Sequence, residues 1–133
     1  MAYANAGDQY RQQSAMTASP GELTLMLFDG CIKNLKLAKI HITAKDYAKA
    51  NDTLQKAQSI IIELLRSLDM RYDIAKQLSQ LYDFILNTVV QANVKKDTEK
   101  TDLALGFMTD LRETWQQVVR INRAKQQGSR EFA

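Results

Sequence analysis

Apolar residues recur along this chain at alternating steps of three and four, in four stretches separated by short polar breaks. That is the pattern of helices that each bury one face. The first stretch has the sharpest start signal. In TASPGELTLMLFDG, from Thr17 to Gly30, Ser19 suits an N-cap, Pro20 the first helical position, and Glu22 completes a capping box. A helix is predicted over about Pro20 to Thr43, with Leu23, Leu27, Cys31 and Ala38 on one apolar seam and Leu25, Phe28, Ile32, Leu35 and Ile42 on another. One seam suffices for a bundle core, so the second calls for a partner.

Asp46 can cap a second helix, in which Tyr47, Ala50, Leu54, Ala57, Ile61, Leu64 and Leu68 form the packing stripe. Ile60 and Leu65 flank that stripe and Ile62 lies outside it. After a turn over Asp69 to Asp73, a third helix from about Ile74 to Ala92 carries Ile74, Leu78, Leu81, Ile85 and Ala92, with Tyr82, Phe84, Leu86, Val89 and Val90 added. Asp97 or Thr98 caps a fourth helix to about Lys125, with Ala104, Met108, Leu111, Trp115 and Val118 inward. Gly106 weakens that helix or admits a neighbouring backbone. Short connections place consecutive helices antiparallel, so the expected fold is an all-α antiparallel four-helix bundle over residues 19–125. Residues 1–18, small and polar with Tyr3 and Tyr10 as candidate tethers, form a flexible N-terminal segment, and 126–133 a disordered basic tail.

Composition narrows the class of function. The chain has 133 residues, 45% of them hydrophobic, enough for one domain with a sizeable core. Up to Val119 the charges balance, and the net charge of +3 arises from Arg120, Arg123, Lys125 and Arg130 set against Glu131. A basic excess confined to one end serves solubility more readily than nucleic-acid recognition, which wants Lys and Arg on a folded face. The single cysteine, Cys31, excludes an internal disulfide and reads as a small buried hydrophobe. No signal sequence or membrane-spanning apolar run is present, so the expected location is cytoplasmic, without stable membrane insertion.

Chemistry has little to stand on. His41 is the only histidine, which rules out the paired Glu-x-x-His ligands of carboxylate-bridged metal bundles. Cys31 lacks a neighbouring base, SPGE lacks the lysine and spacing of a phosphate loop, and the carboxylates Asp29, Asp83 and Asp110 are dispersed. No catalytic residue, metal or cofactor is expected. The surplus apolar surface is the functional signal. Leu25, Phe28, Ile60, Ile62, Leu65, Leu86, Val90 and Leu103 are candidates to line grooves for amphipathic helices of a partner. The alternative is that residues such as Ile60, Leu65, Tyr82 and Phe107 only widen the core.

The segment TASPGELTLMLFDG, with KAQSIIIELLRSLD at 56–69, LSQLYDF at 78–84, ANVKKD at 92–97 and LRETW at 111–115, resembles the flagellar secretion chaperones of the FliS family. The order of the blocks makes the resemblance specific, although none is a catalytic signature. Phe28 departs from it, standing where Tyr is frequent, and Asn87 and Thr88 stand where a basic pair often follows the third block. The resemblance implies a cytoplasmic protein that binds the disordered C-terminal segment of flagellin, prevents premature polymerisation, and delivers it to the flagellar type III export gate. It also implies that Tyr10, in the leader, covers the groove or contacts the gate. A monomer and a homodimer are both compatible with the sequence. The reading from a different class is a helical regulatory adaptor whose basic C-terminal arm binds nucleic acid, tested by a steep salt dependence of duplex affinity.

Overall fold

In the computed structural model the described residues are 20–131, with side chains described to residue 125. They form four helices, α1 (Pro20–Thr43), α2 (Tyr47–Arg66), α3 (Asp73–Lys95) and α4 (Thr98–Glu131), and no strand. Each helix packs on the next and α4 closes back on α1. Cross-links give the directions. Glu22, Asp29 and Lys39 of α1 pair with Arg123, Arg112 and Asp102 of α4, so the α4 number falls as the α1 number rises. The expected all-α antiparallel bundle is the fold observed.

Local chemistry sets the helix ends. Asp46 caps α2 by accepting the Lys49 N–H at 3.3 Å, and Asp97 caps α4 by accepting the Glu99 N–H at 2.9 Å. α1 ends in a Schellman motif: Asp46 N–H bonds to His41 O, Lys45 N–H to Ile42 O, and Lys45 sits at φ 58°. α3 ends on Lys96 at φ 51°, with Asp97 N–H returning to Ala92 O. Both left-handed positions carry lysine where glycine would be unstrained. The Ser19 cap read from the sequence, and Tyr3 and Tyr10, lie outside the described residues.

The core combines Phe28, Cys31, Leu35, Ala38 and Ile42 of α1 with Ala50, Leu54, Ala57, Ile61 and Leu64 of α2, Tyr82, Ile85 and Val89 of α3, and Ala104 and Met108 of α4. Small residues let α1 and α2 approach. A Cβ on Gly30 would meet Ile60 Cδ1 at 3.3 Å, and Cys31 lies over the Ala57 carbonyl. The buried hydroxyls of Thr53, Thr88 and Thr101 donate to carbonyls one turn back, so no buried side-chain polar atom among the described residues lacks a partner.

Five expectations are corrected. The two α1 seams divide differently, because the core takes Phe28, Leu35 and Ile42 from one and Cys31 and Ala38 from the other and leaves Leu23 exposed. In α3 the buried frame starts at Ala75 and runs through Tyr82 and Val89, while Ile74, in the first turn, projects past the core. In α4 Val119 is buried and Val118 exposed, since Val119 is the residue that meets Gly21 of α1. Gly106 faces open space, with no neighbouring atom within 4 Å of a Cβ built there. The sequence reading ended α4 near Lys125 and set residues 126–133 aside as a disordered tail, whereas the helix runs on to Glu131. Ala124 to Gln127 are good helix formers and the one Gly, Gly128, costs only about 1 kcal/mol.

Candidate functional site

At the end of the bundle where α1 begins, α1, the α2–α3 corner, α3 and α4 together line an apolar groove of about 470 Å³. The first two turns of α1 supply Pro20, Leu23, Thr24 and Leu27, which share one helix face at spacings of three and four. The corner supplies Leu68 and Tyr72, α3 supplies Ile74, Ala75, Leu78 and Tyr82, and α4 supplies Trp115. Leu23, Tyr72 and Ile74 are exposed. Polar atoms are few: Thr24 spends its hydroxyl on Pro20 O, and Ser67 bonds to Leu64 O. A surface of this kind suits the apolar face of a helix.

The corner is held by its own polar chemistry. Asp69 accepts the Arg71 backbone N–H at 3.1 Å and the Arg71 guanidinium at 2.9 and 2.6 Å, and Tyr72 N–H bonds to Asp69 O. The Arg71 hydrogen bonds hold the Asp69 carboxyl below its ordinary range. Beneath the groove, Phe28 meets Tyr82 at a ring separation of 6.4 Å. Burial pushes the Tyr82 phenol up to about 12, so it is neutral at physiological pH. The Cys31 thiol, also driven up to about 12 by burial, is no nucleophile. Among the described residues no group of three or more His, Cys, Asp or Glu could hold a metal, and no helix is long and apolar enough to cross a membrane.

The residues singled out from the sequence scatter over several surfaces. Phe28 is a core residue at 1% exposure, beneath the groove and not on it. Ile60 packs against the core beside Gly30 on the α1–α2 seam. Leu25, four residues before Asp29, belongs to the face of α1 that α4 covers through the Asp29–Arg112 pair. Four candidates lie on the faces that α2 and α3 turn to one another, spread along that seam. The Asn93–Asn51 hydrogen bond of 2.9 Å sets these faces opposite one another. Leu65 stands two heptads after Asn51 and Leu86 one heptad before Asn93, with exposed Ile62 and Val90 beside them. Leu103 is on the α3–α4 side, one turn before Phe107, whose ring packs edge-on against exposed Phe84 at 5.6 Å. Tyr10 lies outside the described residues.

Leu23, Leu27, Tyr72, Ile74, Leu78 and Trp115 were the groove residues that sequence reasoning did not single out. Leu23 and Leu27 stood on the first α1 seam, beside Cys31 and Ala38 and not on the second seam read as calling for a partner, and Tyr72 and Ile74 are apolar residues interleaved with Asp69, Arg71 and Asp73 at a turn. That interleaving was the available signal. The basic stretch of α4 is partly committed within the chain, since Arg123 pairs with Glu22.

The described residues form a helical bundle with an apolar groove at one end. Residues 3–122 match the family described as flagellar protein FliS. The chain belongs to the FliS family of flagellar secretion chaperones. It is 40% identical over 129 residues to the flagellar secretion chaperone FliS of Bacillus subtilis (strain 168), covering 97% of each chain. It is 33% identical over 110 residues to the protein of the same name from Salmonella typhimurium, covering 80% of this chain and 82% of that one. A solved structure described as a flagellar chaperone from bacteria superposes with a TM-score of 0.71 at 21% identity, over 84% of this chain and 96% of that chain, a likeness of fold. A chaperone role in flagellar export follows from the family, which is a non-enzymatic kind of protein.

Proposed function

We propose that this protein binds the disordered C-terminal segment of flagellin in the bacterial cytosol, with amphipathic helices of the client laid into its apolar groove and seams. Client surface that would otherwise pair with other flagellin subunits is thereby buried, and the complex is carried to the type III export gate. The observation that carries the reading is the groove at the start of α1, apolar on three sides and lined at helical spacing, in a chain of this family. A client unfolded when free wraps several such surfaces at once, at an ordering cost of a few kcal/mol that keeps release possible. The α2–α3 seam at Leu65 and Leu86 and the Phe84–Phe107 pair are further places for client helices. Pro20 lies at the groove, so the leader carrying Tyr10 joins the chain at its mouth and can cover it when empty. Titration with a flagellin C-terminal peptide, followed by calorimetry and circular dichroism, tests the reading. Saturable binding with a gain in helicity is expected; absence of both would sink it.

A further inference from the structure

Everything that α1 contributes to the groove comes from its first two turns. A first turn is the part of a helix most given to fraying. Here it is fastened to α4 at three points. The Trp115 indole Nε1–H donates to the Gly21 carbonyl at 2.9 Å, Arg123 pairs with Glu22, and a Cβ on Gly21 would lie 3.1 Å from Val119 Cγ2. The same indole turns its ring to the groove. Lining needs only an apolar ring; the N–H is the part of Trp115 that lining leaves unexplained.

We propose that Trp115 is a positioning residue: its N–H clamps the first turn of α1 on α4, so that Leu23 and Leu27 are in place before a partner arrives. A site whose wall is frayed for part of the time binds with an affinity reduced by the competent fraction. The clamp removes that loss. The glycine at position 21 belongs to the same device, because it leaves α4 room to come close.

The test compares full-length wild type with Trp115→Phe, which keeps an apolar ring and loses the N–H. Amide hydrogen exchange is read at Leu25, Met26 and Leu27, whose acceptors lie in the clamped turn. Loss of one neutral hydrogen bond should speed their exchange about fivefold, while amides in the middle of α2 stay unchanged. Affinity for the flagellin C-terminal peptide should fall by about twofold to fivefold, the upper limit being the full change in opening. Only this second arm rests on the flagellin reading. If wild type binds no peptide, that reading fails and the exchange result still decides whether the indole holds the turn. Wild-type exchange in Trp115→Phe would reduce Trp115 to a packing residue and overturn the proposal. Faster exchange with unchanged peptide affinity would overturn it too, since the clamped turn would then have no part in binding.

Discussion

If the groove at the start of α1 receives the client, truncating its exposed lining should weaken binding, while the free protein loses only the part of each side chain that it already buries. Leu23 is 38% exposed and Ile74 62% exposed, so both still have apolar surface to bury. Full burial of such a side chain contributes about 1.5–3 kcal/mol. The part left for a partner is therefore about 1–2 kcal/mol at Ile74 and about 0.6–1.1 kcal/mol at Leu23, most of it lost on truncation to Ala. A Leu23→Ala, Ile74→Ala double variant should bind flagellin C-terminal peptide roughly tenfold to a hundredfold more weakly. Ile40 provides the control. It is also 62% exposed, but lies about 25 Å further along α1 than Leu23 and outside the groove. Trp115 lines the groove and is the one tryptophan, so its emission reports occupancy beside calorimetry. Ile40→Ala should bind as wild type. Equal losses in Ile40→Ala and Ile74→Ala, or wild-type affinity in the double variant, would refute the assignment of the groove.

Three other outcomes are expected. Lys45 is exposed and holds φ 58°, so Lys45→Gly should raise unfolding free energy by about 0.5–1 kcal/mol in urea, whereas Lys96→Gly should gain less because it gives up the Lys96 Nζ bonds to Asn93. Burial raises the Cys31 thiol from 9.0 and the Tyr82 phenol from 10.0, each to about 12. Above pH 9 the unfolded chain therefore holds fewer protons at these two groups than the native one, and their contribution to stability is constant up to about pH 8 and falls as pH rises from 9 towards 12. Tyr82→Phe and Cys31→Ala should each flatten that decline in pH-dependent urea melts. If leader and client compete for one surface, as proposed, removal of residues 1–18 should raise binding of an apolar dye and preserve or tighten peptide affinity. Tyr10→Ala should impair secretion while the flagellin complex still forms, and loss of both in proportion would make Tyr10 part of the client site.

The helices themselves were legible in the sequence because their signals are local. Pro20, Asp46 and Asp97 mark starts through one side chain and its own backbone neighbours, and the stripe from Ala50 to Leu64 repeats at a period that needs no knowledge of the partner helix. Four such stripes with short connections leave few arrangements other than an antiparallel bundle. The family blocks were legible for the same reason, being runs of contiguous residues. What the groove consists of was not. Leu23 and Leu27 look like Cys31 and Ala38 on a helical wheel, and only the place where the α2–α3 corner stops covering α1 separates wall from core. Ile74 and Ala75 are adjacent, and burial of one and exposure of the other depend on the angle at which α3 leaves that corner. The Trp115 to Gly21 bond joins residues 94 apart in sequence, and a hydrogen bond of that reach depends on how α4 docks against α1. Periodicity determines which residues share a face, and packing between helices decides which faces meet.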